Sequence, residues 1–136
     1  MRYNGVIQRK LALLNSQVLH LEENLRDISM SKFADDWVLR SMAERALQVS
    51  VEIMIDVAER ILALEKSGPV ASAAEAMQSL EQLGVIRTAQ TYIEMTRFRN
   101  LIVHQYEVID PSVLYSLATT RLEDFRKFRD EIDAVE

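Results

Sequence analysis

Residues that interrupt helices and strands are scarce in this chain, and their scarcity limits its fold more than any other feature. The 136 residues include only three glycines and two prolines, the residues that most often interrupt helices and strands. No stretch alternates apolar and polar residues as a half-buried strand does, whereas apolar residues return every three or four positions along most of the chain. The sequence therefore predicts an all-α fold made of long helices.

Apolar spacing and capping signals predict four long helices and one short helix. The first covers about residues 3–27 and carries the stripe Ile7, Leu11, Leu14, Val18, Leu21 and Leu25. The second covers about residues 35–65, with the stripe Leu39, Met42, Ala46, Val49 and Ile53. The short helix begins at a capping box in residues 72–75 and ends at Gly84. Another long helix lies between residue 85 and Asp110, and Asp110-Pro111 starts the last one, over about residues 111–134.

The chain has the size and the apolar content of one domain, which we expect to span residues 1–136. Apolar residues make up 49% of it, enough for one core, and successive helices of this length pack as an up-and-down bundle. The absence of cysteine excludes disulfides and thiolate chemistry. Because the net charge is −5, RNA binding would require a local basic patch. No signal core or membrane-spanning stretch is evident, which favours a cytoplasmic protein.

A segment near residue 100 concentrates the residue types that are suited to catalysis. Its polar members are Arg97, Arg99, Asn100, His104, Gln105 and Tyr106. Asn100 and His104 are four residues apart and share a helix face, but Arg99 and His104 lie about 140° apart around a regular helix. Arg99 and His104 can reach one phosphate if the helix loosens towards its end. They can also do so if a twofold dimer places two copies of the segment across one cleft. The spacing favours neither arrangement.

This segment resembles the signature of the HEPN domains, and in particular of the HepT-like toxins that are paired with MNT-type nucleotidyltransferase antitoxins. The family pattern Arg-polar-x-x-x-His-x-Tyr corresponds to residues 99–106, and Met95 and Phe98 match the residues that lead into it. Arg97 departs from the pattern, because many relatives carry a small residue there. Helix order and lengths agree over nearly the whole chain, so the resemblance implies a HEPN-like bundle.

The resemblance implies a metal-independent RNA endonuclease that acts as the toxin of a toxin–antitoxin pair. His104 would exchange protons with the RNA 2′-hydroxyl or the leaving 5′-oxygen, since an imidazole titrates near neutral pH. Arg99 would bind the phosphate through its permanent charge, Asn100 would orient the imidazole or the substrate, and Arg97 would widen the positive patch or narrow the cleft. The products would be a 2′,3′-cyclic phosphate and a 5′-hydroxyl, and no cofactor is implied.

The resemblance also implies a way to switch the toxin off. In relatives the antitoxin transfers AMP to the tyrosine that follows the histidine by two residues, which is Tyr106 here. The bulky, negatively charged adduct would repel RNA and block the cleft. The expected partners are therefore a second copy of the chain, an MNT-type nucleotidyltransferase and RNA.

Two weaker matches to the family lie on the second helix. Arg45 falls within an Ala-x-Arg-x-Leu-Gln pattern, and Glu52 and Asp56 fit a Glu-x-x-x-Asp pattern. These three residues would border the cleft or contact the antitoxin. Alternatively, Asp56 pairs with Arg60 one turn later, because an unpaired carboxylate beside an apolar stripe is costly. We do not expect the two carboxylates to bind a metal ion, since no histidine accompanies them.

Two other functions compete with the nuclease. The same helical surface would suit a non-catalytic adaptor subunit that holds a nucleotidyltransferase, and the chain would otherwise be a purely structural bundle. His20 lies beside the first apolar stripe without other catalytic residue types, so we expect a structural or surface role for it. The charged run over residues 121–136 alternates in sign, as a solvated helix face does.

Overall fold

The computed structural model describes residues 2–103 and 109–136, and of residues 101–103 it describes the backbone alone. In this part of the chain eight helices and no strand are present. They are α1 (Val6–Leu25), α2 (Met30–Asp35), α3 (Trp37–Leu64), α4 (Ala73–Gln82), α5 (Gln90–Thr96), α6 (Phe98–Val103), α7 (Pro111–Thr120) and α8 (Leu122–Asp133). The all-α class is confirmed, with more and shorter helices than predicted. None of these eight is long and apolar enough to cross a membrane.

Helix α1 packs along α3, and its apolar stripe is the one that the spacing predicts. All six stripe residues are buried, so this prediction is confirmed. The helix begins at Val6, three residues later than predicted, because Gly5 has a φ of 66° and lies outside helical geometry. Tyr3 precedes the helix but is still buried, and its hydroxyl donates to the Glu65 carboxylate beyond the end of α3 at 2.9 Å.

The predicted stripe on α3 lies at the edge of the buried face and not at its centre. Of its five members only Ala46 is buried, and the other four are half-buried. The buried face instead consists of Ala43, Ala46, Leu47, Ser50, Val51, Met54, Ile55, Val57, Ala58, Ile61 and Leu62. Because α3 contacts α1, α4, α6 and α7, it is apolar on several sides, and a period of 3.6 residues fits more than one stripe.

Two helix starts follow the predicted capping signals. The Ser72 hydroxyl accepts from the Glu75 amide at 3.1 Å, and the Glu75 carboxylate accepts from the Ala71 amide at 2.9 Å. The capping box is therefore confirmed, although its carboxylate reaches the amide before the serine. Asp110 caps α7 by accepting from the Ser112 amide at 2.9 Å, which confirms the predicted start of the last helical region.

The stretch between the first two predicted helices contains a helix that the sequence did not predict, α2. Ser29 caps this helix by accepting from the Lys32 amide at 3.1 Å. Phe33 is fully buried, and its ring lies 5.3 Å from the ring of Tyr115 on α7. The Tyr115 hydroxyl donates to the Ile28 carbonyl at 2.5 Å. These long-range contacts stabilise a helix that is too short to form alone.

The charged run after residue 120 was predicted as a solvated face, and the structure corrects this. Arg121 lies between α7 and α8, which replace the single long helix that was predicted. Arg126 binds Glu22 of α1 at 2.9 Å, and Arg129 donates to the Asn15 side chain at 2.6 Å. These arginines bind α8 to α1 and contribute to packing as well as to solubility.

Candidate active site

The predicted helix that carries the polar segment is interrupted at Arg97. The buried Thr96 hydroxyl donates to the Ile93 carbonyl at 2.7 Å, and the Arg97 amide donates to the same carbonyl at 3.2 Å. Such back-bonding by threonine often bends helices. The Asn100 amide then bonds to the Arg97 carbonyl at 3.0 Å, in the tighter i to i−3 pattern. The break therefore lies two residues before Arg99.

Apolar anchors fix the junction between α5 and α6. Met95 is 3% exposed and Phe98 is 4% exposed. Both line a small apolar cavity together with Leu47, Val51, Leu117 and Phe125 of the neighbouring helices. Arg97 and Arg99 flank Phe98 and are exposed. The junction therefore presents two arginines to solvent from a base that is anchored in the core.

The two exposed arginines have no acidic partner among the described residues. Glu94, the acidic residue that precedes them in α5, lies 3.4 Å from a guanidinium nitrogen of Arg121. Arg121 also binds Asp124 at 2.5 Å. The positive charge of Arg97 and Arg99 is thus not neutralised within the part of the chain that the structure describes.

A buried tyrosine of α5 forms a hydrogen bond to α8. The Tyr92 hydroxyl donates to the Glu131 carboxylate at 2.5 Å, and the Arg87 amide donates to the other oxygen of that carboxylate at 3.1 Å. Burial, and then the bond to Glu131, raise the pKa of Tyr92 well above its usual value, so it stays protonated. Its ring meets Phe128 edge to face at 5.2 Å. This contact was not predicted, because Tyr92 and Glu131 are 39 residues apart.

The predicted site residues of the second helix differ in their surroundings. Arg45 and Glu52 are exposed on α3. Asp56 binds Lys10 of α1 at 2.5 Å and Arg60 at 3.2 Å, which confirms the predicted intrahelical pair and adds a partner that the spacing did not reveal. Burial opposes ionisation of Asp56, but the bonds from Lys10 and Arg60 outweigh it and hold its pKa below the usual value.

The family model described as "Ribonuclease HepT-like" matches residues 14–132. The chain belongs to this family. It is 24% identical over 131 residues to a "tRNA nuclease HepT" of Aphanizomenon flos-aquae, and the alignment covers 95% of this chain and 88% of the relative. It is 26% identical over 133 residues to an "mRNA nuclease HepT" of Shewanella oneidensis, and the alignment covers 96% of this chain and 98% of the relative.

The HepT-like fold also matches solved structures. One is a Shewanella oneidensis HEPN toxin, tri-AMPylated and in complex with an MNT antitoxin, with a TM-score of 0.88 and 26% identity over 98% of this chain and all of that one. Another is a toxin–antitoxin complex with AMP-PNP, with a TM-score of 0.87 and 25% identity over 98% of this chain. The predicted resemblance to the HepT-like toxins is confirmed.

Of the site residues that we predicted in this HepT-like chain, Arg97, Arg99 and Asn100 are exposed around the α5–α6 junction. Helix α6 contacts α3, the helix that carries Arg45 and Glu52. His104, Gln105 and Tyr106 lie outside the described residues, so their roles stay predictions. His20 is exposed, and its carbonyl accepts from the Asn24 side chain at 2.8 Å. No cluster of three potential metal-ligating side chains occurs in residues 2–103 and 109–136.

Proposed function

We propose that this HepT-like chain is the toxin of a toxin–antitoxin pair and cleaves RNA without a metal ion. The observation that carries the proposal is the pair of exposed arginines at the α5–α6 junction, which has no acidic partner among the described residues. In a chain of net charge −5, such a local positive patch favours selective rather than general binding of RNA. The curated relatives that are named as nucleases support the same class of reaction.

In the proposed reaction, Arg99 binds the scissile phosphate and His104 moves protons. The 2′-oxygen of the RNA forms a new bond to phosphorus while the bond from phosphorus to the 5′-oxygen breaks. His104 accepts the 2′-hydroxyl proton or gives a proton to the leaving 5′-oxygen. The guanidinium of Arg99 stabilises the negative charge that grows on the phosphoryl oxygens. Asn100 orients the imidazole or the substrate, and the products are a 2′,3′-cyclic phosphate and a 5′-hydroxyl.

The active form that we propose is a homodimer, with Arg99 and His104 of both copies lining one cleft. Two neighbouring apolar side chains at the start of α3 are exposed, Trp37 at 71% and Val38 at 66%, and aromatic residues are enriched in protein–protein interfaces. Arg45 and Glu52 are exposed farther along the same helix and border the proposed cleft. The sedimentation velocity of the purified chain tests this, since a monomer at micromolar concentration contradicts it.

Tyr106 is the residue that we propose for inactivation by an MNT-type nucleotidyltransferase. Its phenolic oxygen would take AMP from ATP, with pyrophosphate as the leaving group. The added phosphate would lie close to the arginines, where it would compete with RNA for their charge. Mass spectrometry after incubation with ATP and the cognate antitoxin tests this, and Tyr106→Phe is the matched control that should gain no AMP.

The decisive experiment incubates the purified chain with RNA in the presence of excess EDTA. We expect cleavage that persists in EDTA and produces cyclic phosphate ends. His104→Ala should abolish it while the circular dichroism spectrum and melting curve stay unchanged. His20→Ala is the matched control and should cleave normally. Intact RNA at high concentrations of the dimer contradicts the nuclease and favours the adaptor, and cleavage that EDTA stops contradicts the metal-free mechanism.

A further inference from the structure

Glu94 is the acidic side chain that is placed to neutralise the proposed RNA-binding arginines. It precedes Arg97 by three residues, and the Arg97 amide is still bonded to the Ile93 carbonyl as in a helix. Side chains three residues apart on a helix are neighbours and form ion pairs readily. In the structure, however, the Glu94 carboxylate lies 3.4 Å from Arg121, and no ion pair joins it to Arg97.

Arg121 is held in place for this contact by its own surroundings. It lies where α7 ends and α8 begins, and its guanidinium binds Asp124 at 2.5 Å. It also lines the apolar cavity beneath the α5–α6 junction together with Met95 and Phe98. Asp124 lies in the first turn of α8, where a carboxylate is favoured by the helix dipole even without a cation.

We propose that Arg121 is a positioning residue that engages Glu94 and so leaves Arg97 available for an RNA phosphate. This inference rests on the proposed function, because it describes how the RNA-binding surface keeps its charge. Without Arg121, the Glu94 carboxylate pairs with Arg97 on its own helix. The surface then loses one phosphate contact, while the fold keeps its core residues.

The test measures binding of a fluorescently labelled single-stranded RNA by anisotropy at several salt concentrations. All proteins carry His104→Ala so that the RNA stays intact. Arg121→Gln should weaken binding about two- to fivefold at low salt. It should also reduce the slope of log affinity against log salt by about 0.7, the value for one single-stranded phosphate contact. Arg129→Gln changes the net charge equally, at an arginine that binds Asn15 and Asp130 instead, and should keep the parent slope.

Rescue separates this electrostatic role from a structural one. Glu94→Gln alone should change affinity less than twofold, because its carboxylate is already engaged, whereas adding it to Arg121→Gln should restore the parent slope. Equal slopes for Arg121→Gln and Arg129→Gln overturn the role of Arg121, as does failure of the double variant to recover. If Arg121→Gln lowers the melting temperature, Arg121→Lys replaces it in the test. Because lysine retains the positive charge, this variant should keep the parent slope, and a lost slope contradicts the proposal. Absence of RNA binding by the His104→Ala parent would instead overturn the proposed function itself.

Discussion

The arginines of α8 and those of the α5–α6 junction have opposite surroundings. Arg126 binds two carboxylates, Glu22 at 2.9 Å and Glu123 at 2.5 Å, and its side chain is largely covered. Arg97 and Arg99 are exposed and have no such partner among the described residues. Acidic residues outnumber basic ones by 21 to 16, so two arginines on either side of one residue without a carboxylate partner are not the expected outcome. The difference separates cations that hold helices together from cations that are available to a ligand.

The largest effect should follow from removing the support beneath the available arginines. Phe98→Ala empties a buried aromatic position between Arg97 and Arg99 and should lower the free energy of unfolding by about 3–5 kcal/mol. Urea unfolding monitored by circular dichroism measures this. Val113→Ala is the control, because Val113 is exposed and its loss should have little effect. A loss below 1 kcal/mol for Phe98→Ala would mean that the junction is not anchored there.

Removing one available cation should leave the fold intact and abolish most activity. Arg99→Ala takes away the proposed phosphate ligand and should slow RNA cleavage by about 10²–10³-fold, the effect of losing one transition-state donor. The melting temperature should not change, because Arg99 is exposed. Arg126→Ala should give the reverse pattern, with normal cleavage and reduced stability. Equal cleavage rates for the two variants would contradict the distinction between the two groups of arginines.

The bond between Tyr92 and Glu131 should matter more than a neutral bond of similar length. Tyr92→Phe removes a donor to a carboxylate and should cost about 1.5–3 kcal/mol. Tyr115→Phe removes a donor to the Ile28 carbonyl and should cost about 0.5–1.5 kcal/mol. Chemical denaturation at pH 7 compares the two. A larger loss for Tyr115→Phe would show that Glu131 is not the stronger partner.

The smallest effect should come from the paired carboxylate of α3. Because its native pKa lies below the usual value, Asp56 stabilises the folded state above the carboxyl pKa of the unfolded chain, and this contribution disappears as the pH falls through the native pKa. Asp56→Asn should therefore lower stability at pH 7 by less than about 1 kcal/mol, since the pair is partly exposed. At pH 2 the variant and the parent chain should unfold alike. A difference that grows towards low pH would contradict the assigned shift.

Local signals in the sequence predicted local features. The stripe of α1 and the caps at Ser72 and Asp110 depend on neighbouring residues, and the structure contains all three. The breaks at Arg97 and Arg121 involve neither glycine nor proline, so the strongest helix-breaking residues do not mark them. A threonine back-bond lies beside the first break, and at the second Arg121 contacts Glu94 of a distant helix.

The candidate site was predictable in its residue types and not in its electrostatics. The polar segment around the motif indicated Arg97, Arg99 and Asn100, which are exposed at the junction. Glu94 has the spacing of a helical ion-pair partner for Arg97, but in the structure it contacts Arg121, which lies 27 positions later in the chain. A pairing over such a separation depends on how α5 meets the α7–α8 break, and no spacing rule encodes it.

The exposure of Trp37 has a practical consequence for spectroscopy. It is the only tryptophan in the chain, and its indole is 71% exposed in the folded monomer. Its environment therefore changes little when the monomer unfolds, so intrinsic fluorescence is a poor reporter of monomer unfolding. The emission maximum of Trp37 would shift to shorter wavelengths when a second molecule covers the start of α3. A single chromophore thus reports association without labelling and remains nearly silent to unfolding of the monomer.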